Sequence, residues 1–241
     1  MFDRVDSTNA VALQMGSAGM PGGVLVLADA QDRGRGRQNR SWVSPHGVNL
    51  YLSLLLRPFQ PVREFPLFSL ATAVALASAI RTSTGLPAVV KWPNDILLAD
   101  KKVAGILLEA GKKGGEVPYL VVGIGVNVNW QENEIPRELS ATSLEIALGH
   151  PVDRNRLIND ILIALVEQYH ILDTGKKEQI IKSLSEICVT LGKKVRVDTP
   201  RQIFEGVAEA ILEDGQLLLS MANNTQRKIV LGDITHLNEI H

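Results

Sequence analysis

The sequence is short of nearly everything that a disulfide-stapled, metal-caged or polyanion-binding protein needs. One cysteine in 241 residues, Cys188, excludes an internal disulfide framework and a cysteine-built zinc cage. Twenty-five basic side chains are balanced by 26 acidic ones, so the net charge is -1 and no global field draws the chain to nucleic acid or an anionic membrane. Aromatic residues are only 5% of the chain, too few to interleave with arginines as a single-strand binder requires. The five histidines (His46, His150, His170, His236, His241) show no H-x-x-x-H spacing. Neither a G-x-x-x-x-G-K-[ST] loop nor a G-x-S-x-G elbow occurs, so metal-centred and triad hydrolysis have little support. "MFDRVDSTNA" is charged within its first residues and lacks an apolar signal core, and the apolar stretches read as far short of a membrane span. A soluble, cytoplasmic protein is the expectation.

What is present is a large apolar fraction, 45%, enough for a sizeable core in one large domain or in a medium and a small one. Residues 7–19 read as a short helix from "STN" to a glycine stop, and 22–31 as a buried strand delivering the chain into an Arg/Gly loop. Residues 48–58 form another strand, and 65–85 an Ala- and Leu-rich helix buried on nearly all faces. A strand over 88–95, a hairpin over 96–111 turning near Ala99 to Lys102, and a strand over 118–130 follow. Helical spacing runs from Asp153 to about Ile187 with a break at Gly175. Short alternating runs over 193–237 predict a small all-β module.

Five stretches could carry chemistry, and each has a plain structural alternative. "GRGRQNRSW" (34–42) offers glycines that let backbone approach a ligand and arginines whose planar forks match phosphate or carboxylate; it could equally be a solvated loop. "KWPND" (91–95) presents Lys91, Asn94 and Asp95 together after a rigid proline, or is an ordinary turn around a packed Trp92. In "DKKVAGILLE" (100–109), small residues after Lys102 leave room against a strand, unless that lysine is merely a hairpin residue in water. In "GIGVNVN" (123–129), two glycines weaken an apolar strand and so imply close approach of something, or a bulge. Asn127 and Asn129 alternate onto one face, and an asparagine amide can read an adenine edge. "STN" (7–9) could cap a helix or hold a small polar head at its N-terminus.

Taken in this order, the five stretches and the terminal β module resemble the biotin protein ligases across essentially the whole chain. The GRGR loop, KWPND and K-x-A-G-I-L together are specific to that family; lipoate ligases share the fold without this set. The resemblance implies an α+β fold: a mixed β-sheet packed with helices (class II synthetase-like, biotin/lipoate ligase type) plus a small SH3-like β-barrel. Residues 1–187 would bind biotin and ATP, and 188–241 would form the barrel. It implies activation of biotin to biotinyl-5′-AMP, then transfer to a lysine of a biotin carboxyl carrier domain, in acetyl-CoA carboxylase or another biotin-dependent carboxylase.

Position by position, the resemblance gives Ser7, Thr8, Asn9 and Gln31 to the ureido end of biotin, and Gly34, Arg35 and Arg37 to a loop closing over biotin and the phosphates. Tyr51, Gly105 and Gly123 would line the biotin pocket, with Lys102 beside the reacting carboxylate and phosphate. Lys102, Arg35 and Arg37 would be catalytic. Arg40, Trp42, Lys91, Asn94 and Asn127 would serve the nucleotide, Asn127 reading adenine, and Asp95 would meet Mg²⁺. The chain departs from the family at Asn39, where many relatives carry glycine; asparagine tolerates a left-handed backbone. Only six residues precede "STN", too few for a DNA-binding helix-turn-helix, so no operator binding is expected and a first strand would be short. Exposed apolar strand edges would allow a homodimer; no nucleic-acid or membrane partner is expected. Three rivals remain: a lipoate or octanoyl transferase on the same scaffold, a nucleic-acid binder gripping through the Arg/Gly loop, and a biotin-storing pseudo-enzyme.

Overall fold

A computed structural model describes residues 1–112, 118–222, 225–230 and 232–237. The Asn39 side chain and the residues from 238 to His241 lie outside the described residues. The first 126 residues build a seven-stranded sheet: β1 (Phe2–Val5), β2 (Val24–Gln31), β3 (Leu50–Leu56), β4 (Val89–Lys91), β5 (Asp95–Leu98), β6 (Lys101–Gly111) and β7 (Tyr119–Val126). Their order is β1-β2-β3-β7-β6-β5-β4. Only β1 and β2 pair in parallel; the other neighbours are antiparallel. β1 has four residues, the short first strand expected.

Period-two alternation divides the sheet into two chemically different faces. Leu120, Val122, Ile124 and Val126 of β7 join one large core with Leu50 and Leu52 of β3 and Ile106 of β6. That core is closed by α2 (Pro66–Thr84), α4 (Arg154–Asp173) and α5 (Lys177–Ile187). The residues between them, Tyr51, Ser53, Gly105, Leu107, Glu109, Gly123 and Gly125, belong to the opposite face, which receives α1 (Thr8–Ser17) and the Arg/Gly loop. A short helix missed in the sequence, α3 (Leu144–Leu148), is capped by Ser143, whose Oγ accepts from Ile146 N at 3.1 Å.

α2 starts at Pro66 and ends at Gly85, which takes the left-handed conformation (φ 72°). Contrary to the expectation from hydropathy, Val62–Thr84 is long and apolar enough to cross a bilayer. Alanines dilute its hydropathy to the eye, and its window is mostly buried, the position of a core helix. α4 lies along α2, with the Thr72 hydroxyl and the Tyr169 hydroxyl 2.7 Å apart between them.

The terminal module is a five-stranded antiparallel sheet of β8 (Lys194–Asp198), β9 (Ile203–Ile211), β10 (Leu217–Ser220), β11 (Gln226–Ile229) and β12 (Asp233–His236), in the order β11-β10-β9-β8-β12. Among the described residues the expected barrel is not closed: β11 and β12 are the two edges of the sheet. Its inner face joins the large core. Val195, Val197, Ala208, Leu217 and Leu219 share one core with α2 and α4, and Gly215 sits against Leu70 and Leu67. Trp92 is buried across this junction, donating from Nε1 to the Gly215 carbonyl (3.2 Å) and from its backbone N to Thr190 Oγ1 (3.1 Å).

The β5–β6 hairpin turns through Ala99 and Asp100, both left-handed (φ 46° and 64°). Ala99 is ill suited to that region, where asparagine is tolerated, and Asp100 is tolerated there less readily than glycine. Ala99→Asn with Asp100→Gly is expected to raise stability by about 1 kcal/mol, or roughly 2–4 °C in Tm. Thermal unfolding checks this, and a lower Tm would mean the turn is held by something other than local preference.

Candidate active site

One cavity of about 750 Å³ opens on the glycine-bearing face, between the sheet, the Arg/Gly loop and β12. Fifteen of the residues singled out above line it: Ser7, Thr8, Asn9, Gln31, Arg35, Arg37, Arg40, Trp42, Lys91, Asn94, Asp95, Lys102, Gly105, Gly123 and Asn127. Gly34 and Tyr51 do not. Gly34 is buried beneath the loop, where a Cβ would strike the Trp42 carbonyl and Ser44 Oγ. Tyr51 is buried and donates from its hydroxyl to the Pro45 carbonyl (2.9 Å), and burial holds its phenol far above the ordinary range.

The glycines of the strands make sense only with the loop in place. Gly105 and Gly125 are register partners on β6 and β7, forming a flat patch. Trp42 lies on it: a Cβ on Gly125 would come to 2.5 Å of the indole, and one on Gly105 to 3.0 Å. Gly123 is filled from the other side by the Asn9 amide. The Trp42 Nε1 is buried without a hydrogen-bond partner among the described residues.

At one end of the cavity the α1 start forms a polar niche. Ser7 occupies the N-cap position with no capping hydrogen bond, so the capping explanation of "STN" fails for its hydroxyl. Thr8 donates from N and from Oγ1 to Gln31 Oε1 (2.9 and 3.2 Å), and Gln31 Nε2 donates to Ser44 Oγ (2.9 Å). Ser44 Oγ in turn donates to the Trp42 carbonyl (3.0 Å). The Asn9 amide is held at both ends by protein: Ser53 Oγ lies 2.5 Å from its Oδ1, and its Nδ2 donates to Glu109 Oε2 (2.8 Å). The same Glu109 oxygen pairs with Arg35 Nη2 at 3.1 Å. Arg35 therefore points to the niche end, whereas seven residues separate Glu109 from Lys102, about 23 Å along an extended strand.

At the other end charges gather. Lys102 Nζ sits 2.6 Å from Asp95 Oδ1 and 5.3 Å from the Trp42 ring centroid, a cation–π distance. That Asp95 oxygen is buried and has no aligned hydrogen bond, so charge holds it: Lys102 in contact, with Arg37 and Lys91 also acting on the carboxylate. Arg37 Nη1 donates to Asn94 Oδ1 (2.7 Å), while Asn94 Nδ2 donates to the Ile106 carbonyl (3.0 Å), which fixes the fork. Burial pulls the Arg37 guanidinium down from its ordinary value, Asp95 opposing, but arginine stays cationic. Burial likewise lowers Lys91, which faces Asp95 across the β4–β5 turn containing the cis Trp92–Pro93 bond.

The terminal module completes this end. Asp233 pairs with Arg40 and, at 3.7 Å, with Arg37, which also donates to the Gly232 carbonyl (3.3 Å). Lys193 and His236 line the cavity. Burial, then the charges of Lys193 and Lys91, push His236 down to about 4, so it is neutral near pH 7. Asn127 donates from Nδ2 to the Thr142 carbonyl (3.0 Å) and leaves Oδ1 buried without a partner among the described residues. Asn129, expected on the same face, is not in the cavity: the strand ends at Val126, and Asn129 instead pairs with both backbone polar groups of Val152.

Sequence reasoning missed Ser53, Glu109, Asp233, Lys193 and His236. Two had a signal: Ser53 is the lone polar residue in "LYLSLLL", and Glu109 shares strand parity with Gly105. Asp233 had none, because only the docking of the module brings it to Arg40.

The profile of the Biotin/lipoate A/B protein ligase family matches residues 1–127, and that of the biotin protein ligase C-terminal domain matches 190–237. The chain is 37% identical over 234 residues to the bifunctional ligase/repressor BirA of Bacillus subtilis, covering 96% of this chain and 72% of that protein. It is 36% identical over 224 residues to the biotin–[acetyl-CoA-carboxylase] ligase of Paracoccus denitrificans, covering 91% and 92%. The structure of the biotin protein ligase of Aquifex aeolicus in complex with biotin and ATP superposes with a TM-score of 0.83 at 29% identity, covering 98% and 97%. A first profile spanning more than half of the sequence, a second specific to the biotin enzymes and a relative at 37% identity lead to one assignment: the chain belongs to the biotin/lipoate A/B protein ligase family, on its biotin protein ligase branch.

Proposed function

We propose that the chain joins biotin to a lysine of a biotin carboxyl carrier domain in two steps through biotinyl-5′-AMP, with residues 1–187 as the catalytic part and 188–241 as a module that completes the phosphate end. The observation carrying this reading is the polarity of one cavity: a hydrogen-bonding niche at Ser7, Thr8 and Gln31, where Arg35 is neutralised by Glu109, and a cationic end at Lys102, Arg37, Lys91 and Arg40. A ureido head with matched donors and acceptors suits the first, and a carboxylate beside a polyphosphate suits the second.

In the first step a carboxylate oxygen of biotin attacks the α-phosphorus of ATP, the bond to the bridging oxygen breaks, and pyrophosphate leaves. Like charges must meet, so fixed cations aimed at the reacting oxygens supply the stabilisation. Lys102, with small Gly105 beneath it, is placed to do this, and Arg37 is pre-oriented by Asn94. The free acceptor of Asn127 would take the adenine 6-amino group. Trp42 over the glycine patch would exclude water from the mixed anhydride. In the second step the acceptor lysine amine attacks the acyl carbon and AMP leaves with the bonding pair.

Mg²⁺ fits only as a companion of ATP. Among the described residues no three His, Cys, Asp or Glu side chains converge. Asp95 would touch an ion carried by the phosphates, which is how Mg²⁺ is commonly held, and the ion would supply further charge neutralisation there. The near-neutral net charge supports ligation without operator binding, and ATP dependence supports a cytoplasmic reaction. A homodimer through exposed strand edges belongs to the same proposal.

The test is biotin-dependent exchange of labelled pyrophosphate into ATP, with lipoate and octanoate as controls. Exchange with biotin alone is the expected result. Exchange with lipoate instead, or biotin binding without exchange, overturns the reading.

A further inference from the structure

We propose that Glu109 is a positioning residue for biotin: it seats the Arg35 end of the loop over the head-group niche and so sets affinity without touching the substrate. The inference rests on the ligase reading above and assigns a role to the last residue of the third stretch, which the reading of that stretch left without one.

The geometry is a bifurcated anchor. One oxygen, Glu109 Oε2, takes the Arg35 guanidinium at 3.1 Å and the Asn9 amide at 2.8 Å. Asn9 is fixed in turn, because Ser53 holds its other end and Gly123 leaves it no spare room. Glu109 therefore ties the loop to the start of a packed helix. Arg35 has loop backbone on both sides and forms an isolated bridge with Ser41. Asn9 belongs to the first turn of α1 on a buried sheet. The loop is anchored at its other end too, through Ser44 to Gln31 in the same niche. The loop's Arg37 and Arg40 are paired with Asp233 at the charged end, and of the two ties at the niche end only the Glu109 one is ionic.

The side chains of the pair are partly exposed, 39% for Arg35 and 27% for Glu109. At that exposure the ion pair adds little to global stability. Its effect falls on the loop, whose ordering must otherwise be met from biotin binding energy. The reacting end at Lys102 is far along the same strand, so the chemical step is insulated from the change.

Glu109→Gln removes the charge and keeps the shape. Biotin titrated calorimetrically into the full-length chain is expected to bind about tenfold more weakly, and the biotin KM in pyrophosphate exchange to rise equally, while kcat at saturating biotin changes less than twofold. Glu109→Asp, which keeps the charge, is expected to recover part of the loss. Arg35→Gln, at a residue assigned to the biotin loop itself, enters only through the double variant, and Glu109→Asp serves if Glu109→Gln does not fold. The double variant is expected to bind no more weakly than the worse single one. Unchanged biotin affinity in the Glu109 variant, additive losses, or a fall in kcat with unaltered affinity overturns the proposal. Failure of the unsubstituted chain to bind biotin overturns the ligase reading instead.

Discussion

Lys102→Ala is expected to slow biotin-dependent pyrophosphate exchange at saturating substrates by a factor on the order of 10²–10³, the range for loss of one preorganised charge at a reacting oxygen. Biotin affinity is expected to change less than threefold, because the niche at Ser7, Thr8 and Gln31 is at the far end of the cavity. The asymmetry follows from where the lysine sits. Its ammonium is pinned between the Asp95 carboxylate at 2.6 Å and the face of Trp42, so little reorganisation is required when charge develops on the phosphate. Truncation also takes from the buried Asp95 oxygen the one cation in contact with it, leaving only the more distant Arg37 and Lys91, and some loss of stability accompanies the loss of rate. Lys102→Ala combined with Asp95→Asn is expected to restore that stability and not the rate. Single-turnover measurement of adenylate formation, alongside thermal unfolding, separates the two. A rate near that of the unsubstituted chain would remove Lys102 from the chemistry.

The second large effect is expected at a residue with no side chain. Gly123→Ala places a methyl group where the Asn9 amide lies. That amide cannot step aside cheaply, since Ser53 and Glu109 hold both of its ends. Overpacking of this kind costs about 1–3 kcal/mol of stability. The floor of the niche moves with Asn9, so biotin affinity is expected to drop by roughly 10- to 100-fold, a change of about 1.4–2.7 kcal/mol. Gly125→Ala is the control on the same strand and face. It strikes the Trp42 indole instead, and the expected loss is in ATP KM, with biotin binding reduced less. Calorimetry with biotin alone, then with a non-hydrolysable ATP analogue, distinguishes them. Equal effects of the two alanines on both ligands would mean that the two glycines serve the sheet, not two ends of a cavity.

Much of the site was legible because its residues are close in sequence and unusual for their surroundings. Glycines inside an apolar strand have no use in the strand itself, so Gly123 and Gly125 announced close approach, and it is Asn9 and Trp42 that approach. Lys102 followed by Ala104 and Gly105 announced space beside a charge. The arginines of the loop were equally visible, but their division of labour was not. Arg35 turns to Glu109, whereas Arg37 turns to Asn94, and alternation along a loop does not encode that choice. The pairing of Asn127 with Asn129 failed because period-two reasoning was carried past Val126, where the strand stops.

The sequence alone determined the family, the order of the elements and most of the cavity lining, because local composition and hydrophobic period are properties of short segments. Tertiary structure alone decided which partners those residues meet. Asp233 reaches Arg37 and Arg40 from the other end of the chain. The apolar side chains of the terminal sheet join the large core, and Gly215 meets Leu67 and Leu70 of α2, although more than a hundred residues separate them in sequence. Glu109 becomes an anchor only when β6, α1 and the loop converge on it. Contacts between residues a hundred positions apart depend on strand order and docking, which no local pattern contains.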